Sequence, residues 1–172
     1  MRKIAVALSK GGVGKTTTAI SLAGGLARAG QRVLLVDMDT QGQVAKALGL
    51  GPQAGVAEMV MDELAPEQVV VEARERIWLL AGGRTLAGLK RVIARQDFGG
   101  ERTLVEALAP LDGEYDVALV DTAPAWDTLT VNALFYANEV LVPVSLEVMA
   151  LSLIHISEPT RLRLKSRIAY YA

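Results

Sequence analysis

The segment Lys10–Thr17 reads KGGVGKTT, so three glycines, two lysines and two threonines fall within one short run. Gly11, Gly12 and Gly14, with Val13 between them, let the backbone wrap closely and turn its N–H groups inward. The start of a following helix adds partial positive charge, and the two together make a cradle for phosphate. Lys15 would neutralise the outer phosphates of a nucleotide. Thr16 would offer its hydroxyl to Mg²⁺, which prefers hard oxygen ligands and keeps several waters, and Thr17 completes the phosphate-facing run. The strict phosphate-loop pattern asks for Gly where this chain has Ser9, and the loop instead carries a second lysine, Lys10. A phosphate-facing cation there is unfavourable unless an anion compensates it. The alternative is a glycine-rich turn whose lysines point to solvent.

Three carboxylates extend the constellation. Asp37 and Asp39 follow an apolar run and sit two residues apart, so on a strand they point to one face. Asp121 ends another apolar run in the same way. A carboxylate at the carboxyl end of a buried parallel strand beside a phosphate loop ordinarily holds Mg²⁺, directly or through water. The competing reading is that each acid caps the next helix or terminates its strand. Three together beside such a loop favour the metal.

These residues need a scaffold. Continuous apolar runs at Lys3–Leu8, Arg32–Val36, Ile77–Leu80, Val117–Val120 and Val140–Val144 read as strands covered on both faces. Between them, Thr16–Ala29, Val44–Leu48, Leu86–Arg95, Leu104–Leu108 and Thr128–Ala137 read as helices. The alternation predicts an α/β domain on a mainly parallel sheet with helices on both faces and ligands at the strands' carboxyl ends. The basic stretch Arg84, Lys90, Arg91 and Arg95 reads as the solvated side of a helix whose Leu86, Leu89 and Ile93 face the core. A DNA or partner face is the competing assignment. Trp78 and Trp126 read as packing residues.

Composition bounds the rest. With 172 residues, 51% of them apolar, the chain is long enough to bury a core without staples. No Cys is present, which excludes a disulfide framework, a Cys-ligated zinc and a Cys-held iron–sulfur cluster within these residues. A reducing, cytoplasmic setting fits. No apolar run approaches the roughly 20 residues of a membrane span, and Met1-Arg2-Lys3 leads into a strand, not a signal peptide.

The loop with its extra lysine resembles that of the ParA/MinD family of P-loop ATPases, which place bacterial chromosomes, plasmids, division sites and other cargo. The resemblance includes VLLVDMDTQGQ (Val33–Gln43), YDVALVDTAP (Tyr115–Pro124) and LTVNALFYANEVLVPVSLE (Leu129–Glu147), in the family's order, over about 150 residues. It implies a P-loop NTPase fold, ATP and Mg²⁺ as cofactors, and ATP hydrolysis in the intact parent. Phosphate cradles do not distinguish ATP from GTP, so adenine is implied by the resemblance alone. It further implies that Lys15 and Thr16 bind phosphate and Mg²⁺, that Asp121 supports the metal with Asp37 near its outer shell, and that Asp39 positions the attacking water. Lys10 would reach across an ATP-dependent homodimer to the partner's phosphates, like an arginine finger. Partition of a chromosome or plasmid is the leading role, with a partner protein that stimulates hydrolysis and non-specific DNA bound through C-terminal residues beyond this match. A nucleotide-switched scaffold and MinD-like membrane positioning are the alternatives. Localisation would be cytoplasmic in a bacterium, with nucleoid association if the role is partition. Thr40, Gln43 and the run Thr122-Ala123-Pro124, followed by Trp126-Asp127, depart from the family pattern in segments that should respond to the outermost phosphate.

The match stops at about Leu151, so the fold is expected to be C-terminally truncated. Leu151–Arg161 (LSLIHISEPTR) is the translation of a transposon mosaic-end adapter used in preparing sequencing libraries. The expected organisation is therefore an incomplete P-loop ATPase domain over 1–150 and a non-native tail over 151–172. The tail holds the lone His and four basic residues, leaving 14 basic against 18 acidic before it. A basic amphipathic helix is the competing reading, which Pro159 interrupts. The shortened sheet is expected to leave an edge and apolar faces open and the polypeptide prone to aggregation.

Overall fold

In the computed structural model, residues 1–96 and 98–144 are described. The first half runs β1 (Arg2–Val6), α1 (Lys15–Arg28), β2 (Val33–Met38), α2 (Gln43–Ala47), α3 (Val56–Met61) and α4 (Pro66–Val69). It continues as β3 (Val70–Arg74), β4 (Ile77–Leu80), α5 (Leu86–Ile93), α6 (Thr103–Leu108), β5 (Val117–Thr122), α7 (Thr128–Tyr136) and β6 (Glu139–Leu141). The strands form one sheet in the order β3-β4-β2-β5-β1-β6, parallel throughout except for the β3–β4 pair.

Alternation along the strands explains how two faces are covered. Leu34, Val36 and Met38 of β2 and Ala118 and Val120 of β5 pack with α3, α5, α6 and α7 on one face. Val33 and Leu35, with Val117 and Leu119, pack with α1 and α2 on the other. β2 and β5 are buried along their whole length, which is why they read as unbroken apolar runs. Each fully buried Leu contributes about 1.5–3 kcal/mol relative to exposure. The same alternation decides where the acids go: Asp37 and Asp121 share parity with Leu35 and Leu119, so both face the α1 side.

Several expected boundaries move. The run Lys3–Leu8 yields the shorter β1, and Val140–Val144 yields only Glu139–Leu141. Conversely, β2 and β5 run on past the apolar residues to include Asp37 and Asp121, because flanking strands continue the hydrogen-bond ladder there. The antiparallel β3 and the short α3 and α4 carried too little periodicity to be seen in the sequence. Helix α5 behaves as expected: Leu86, Leu89 and Ile93 are buried while Arg84, Arg91 and Arg95 are exposed. Trp78 packs against the core and its ring lies 5.3 Å from that of Tyr115. Trp126 does not pack: it is 70% exposed, because the loop after β5 turns it outward. The expected tail 151–172, His155 included, lies outside the described residues. Among the described residues no helix is long and apolar enough to cross a membrane.

Candidate functional site

The loop from β1 to α1 is shaped by glycine. Gly12 and Gly14 adopt φ of +75° and +83°, and a Cβ at either would meet nothing within 4 Å. Backbone conformation, not crowding, therefore demands glycine here. Gly14 is the N-cap of α1, so the first amides of that helix open into a cavity of about 350 Å³. Gly11, Gly12, Gly14, Lys15, Thr16, Thr17 and Asp39 line it together with Thr122 and Pro124. Lys10, Val13, Asp37 and Asp121 do not form its wall. Thr122 and Pro124 were legible only as departures from a motif. A larger cleft of about 780 Å³, at the far end of α1, has Arg28, Arg74 and Arg76 on its walls. Arg76 donates to the Gly30 carbonyl and Arg74 to that of Leu48, so these side chains close chain turns.

Lys15 opens α1 and is buried, and its Nζ donates to the carbonyl of Lys10 at 2.9 Å. Burial lowers its pKa, opposed by the nearby charges of Asp121 and Asp39. A lysine so placed is held inside the loop, ready to exchange a neutral carbonyl for a phosphate oxygen. Lys10 is half-buried.

The carboxylates divide by what already holds them. Both oxygens of Asp37 are engaged by backbone: Oδ1 accepts from the Asp39 amide at 2.9 Å and Oδ2 from the Val44 amide at 3.1 Å. Asp37 thus shapes the β2–α2 turn and caps the start of α2, the competing reading given above. Asp39 Oδ1 accepts from the Gln41 amide at 2.9 Å, and the residue borders the cavity. Asp121 is fully buried, yet neither of its oxygens makes a hydrogen bond. Burial pushes its pKa up to about 6, while the Thr16 hydroxyl and the Thr122 amide lie close enough to favour the ionised form without completing a bond. Burial likewise raises Asp37 to about 7, against the two amide hydrogen bonds.

A buried carboxylate with two empty acceptors, beside a threonine hydroxyl and a buried lysine, calls for a cation. Among the described residues no group of three His, Cys, Asp or Glu side chains is arranged to hold a metal. Mg²⁺ takes one or two protein oxygens and fills its remaining positions with water and substrate phosphate.

A second ring of contacts positions Asp39. Its carbonyl accepts from the amides of Gly42 (3.0 Å) and Gly83 (3.1 Å). A Cβ on Gly82 would come within 2.4 Å of the Asp37 carbonyl oxygen and 2.8 Å of that of Asp39. The Gly82-Gly83 pair had no assigned role in the sequence, although such a doublet after a strand signals close backbone approach.

A family model described as an AAA domain matches residues 1–162. The chain is 44% identical over 151 residues to the chromosome-partitioning ATPase Soj of Thermus thermophilus, covering 88% of this chain and 57% of that protein. It is 41% identical over 155 residues to the chromosome partitioning protein ParA of Myxococcus xanthus, covering 87% and 54%. It therefore spans little more than half the length of these relatives. Among solved structures it resembles cobyrinic acid a,c-diamide synthase from Mycobacterium smegmatis with bound ATP analogue and magnesium, at 37% identity and TM-score 0.83, covering 94% of this chain and 69% of that one. It also resembles a plasmid partition protein of Borrelia burgdorferi bound to AMPPNP, at 27% identity and TM-score 0.79, covering 90% and 67%. The chain belongs to the AAA domain family, and within it to the ParA/MinD group of P-loop ATPases.

Proposed function

We propose that the chain is the nucleotide-binding part of a partition ATPase, which binds Mg·ATP in the β1–α1 loop and hydrolyses it as a nucleotide-dependent dimer. The observation that carries this reading is the pair of empty acceptors on buried Asp121 beside Thr16 and Lys15 at the base of the glycine cradle. The similar structures bound to an ATP analogue with magnesium and to AMPPNP support the cofactors. The names of the two sequence relatives favour partition over the amidation named for one structural neighbour.

In this reading the amides of Gly11–Thr17, Val13 among them, cradle the phosphates, and Lys15 leaves the Lys10 carbonyl to neutralise them. Thr16 and Asp121 hold Mg²⁺, with Asp37 behind them holding the turn. The ion supplies charge neutralisation at the phosphates when bound. Asp39 orients the water. Lys10, away from the cavity wall in one chain, acts on the phosphates of a second copy. Cytoplasmic placement in a bacterium with association to the nucleoid, a hydrolysis-stimulating partner and DNA bound by segments of the longer parent complete the proposal. Residues 151–172 are proposed to be foreign to the domain. The family match runs on to residue 162, so the codons of the source gene decide that point: codons unlike the adapter overturn it.

The test is calorimetric titration of the chain with AMPPNP, with and without Mg²⁺. Metal-dependent binding that Lys15→Ala abolishes supports the reading, and metal-independent or absent binding defeats it. In the full-length parent, Asp39→Ala should retain binding and lose turnover. A parent that binds but never turns over would be a nucleotide-switched scaffold.

A further inference from the structure

The loop after β5 is pinned at three points, and one of them leads away from the site. Pro124 lies against Gly11, within 3.9 Å of where a Cβ would stand. The Ala125 carbonyl accepts from Thr130 Oγ1 at 2.8 Å. Asp127 is the N-cap of α7: its Oδ1 accepts from the amides of Leu129 and Thr130, both at 3.1 Å. Its Oδ2 accepts from Lys90 Nζ of α5 at 2.9 Å. Burial disfavours the Asp127 carboxylate, but the Lys90 hydrogen bond and the two amides outweigh it and hold its pKa below the usual range.

Helix α5 begins at the other wall of the site. The Gly83 amide donates to the Asp39 carbonyl at 3.1 Å, and the Gly83 carbonyl accepts from the Leu86 amide at 3.0 Å, opening the first turn of α5. Gly82 and Gly83 press against the Asp37–Gly42 turn with no room for a side chain at Gly82. The segment Gly83–Ile93 thus meets the Asp39 turn just ahead of α5 and, through Lys90 a turn into the helix, the Asp127 end of the loop that carries Thr122 and Pro124.

We infer that Lys90 and Asp127 are positioning residues whose ion pair makes α5 a strut, so that the Asp39 turn and the Thr122–Asp127 loop are held in one arrangement. Neither touches the cavity. They act through the Gly83–Asp39 bond at one end and the Pro124–Gly11 contact at the other. The Oδ1 cap alone would anchor α7; the bond from Oδ2 to a second helix is what links the two walls. The consequence for turnover rests on the Mg·ATP reading above, whereas the linkage itself does not.

Hydrogen exchange on the nucleotide-free full chain tests it. Lys90→Met keeps a helix-forming residue and removes the bond. Asp127→Asn keeps a capping oxygen and removes the charge. Both should speed exchange of the Gly42 and Gly83 amides by about two- to fivefold, the scale of a partly exposed ion pair, although neither residue contacts those glycines. Lys90→Arg should restore the protection. An effect confined to the Leu129 and Thr130 amides, or no effect at all, overturns the strut. If nucleotide titration fails while the glycine amides respond, the Mg·ATP reading falls and the strut stands. In the full-length parent Lys90→Met should lower kcat with KM little changed, and a KM effect with unchanged kcat counts against positioning.

Discussion

Asp37 of β2 lies directly opposite Asp121 of β5 in the parallel register, both carboxylates on the α1 face and both fully buried. Like charges directly opposite on one sheet face destabilise the pair, and burial adds to the cost. The two groups resolve it differently: Asp37 is held by two amides, and Asp121 is left open beside Lys15 and Thr16.

The pair makes stability fall as pH rises through neutrality. Folding raises Asp37 to about 7 and Asp121 to about 6. Between the ordinary carboxylate range and these values the native chain binds more protons than the unfolded one, so each step up in pH lowers the unfolding free energy. Asp116, Asp127 and Glu139 are shifted downward. Their contribution is present at higher pH and is lost only below about pH 4. Urea denaturation should therefore give a higher midpoint at about pH 5 than at pH 8, and Asp37→Asn should flatten that slope. A midpoint that climbs steadily from 5 to 8 in the unmodified chain would contradict the assignment.

Two glycine substitutions separate crowding from chain entropy. Gly82→Ala drives a Cβ into the Asp37 and Asp39 carbonyl oxygens, so it should cost about 1–3 kcal/mol and weaken nucleotide binding through the displaced turn. Gly25 lies inside α1, exposed, with nothing within 4 Å of its missing Cβ. Gly25→Ala should stabilise by about 0.5–1 kcal/mol. Equal midpoints for the two variants would show that the approach of Gly82 is slack.

What was legible follows from what each signal measures. The β1–α1 loop, the buried β2 and β5 and the sheet class came through because glycine spacing and unbroken apolar runs report backbone conformation and two-sided burial directly. Strand ends did not, since Asp37, Met38, Asp121 and Thr122 are strand residues by virtue of neighbours in the sheet, which no local window contains. β3 was invisible for the same reason: its pairing with β4 is antiparallel and irregular between Glu72 and Arg74. Within the site, spacing brought Lys15, Thr16 and Asp39 to one cavity. It could not reveal that Asp37 spends both oxygens on the chain while Asp121 spends none. Trp126 was misplaced because indole size argues for burial, while Pro124 and the Asp127 cap fix a turn that points it outward.

Asn132 shows how a single polar side chain can hold a layer together. It is buried on α7, accepts from the Leu104 amide at 3.0 Å and donates to the carbonyls of Gly100 (2.8 Å) and Thr128 (2.9 Å). Asn132→Ala leaves the buried Leu104 amide short of a partner, whereas the Gly100 carbonyl keeps the Thr103 hydroxyl and amide. The expected loss is about 1–3 kcal/mol, the cost of one unsatisfied buried group. Asn132→Asp should be at least as damaging, since its carboxylate cannot donate to Gly100 or Thr128. A midpoint within error of the unmodified chain in both variants would mean the α6–α7 contact is carried by its apolar residues alone.

Trp126 should report the site. The chain has two tryptophans: Trp78 is half-buried against the core beside Tyr115, whereas Trp126 is 70% exposed, two residues beyond Pro124 on the cavity wall. A collisional quencher such as iodide should therefore remove mainly the Trp126 emission, and Trp126→Phe should abolish the quenchable component with little change in unfolding midpoint. Because Pro124 rests against Gly11 of the phosphate loop, filling the cradle should shift the Trp126 emission. Addition of Mg·AMPPNP is expected to change the fluorescence of the unmodified chain and leave Trp126→Phe silent. A response that survives in Trp126→Phe would place the nucleotide-sensitive change near Trp78, on the β4 strand, and remove the loop after β5 from the responding segments.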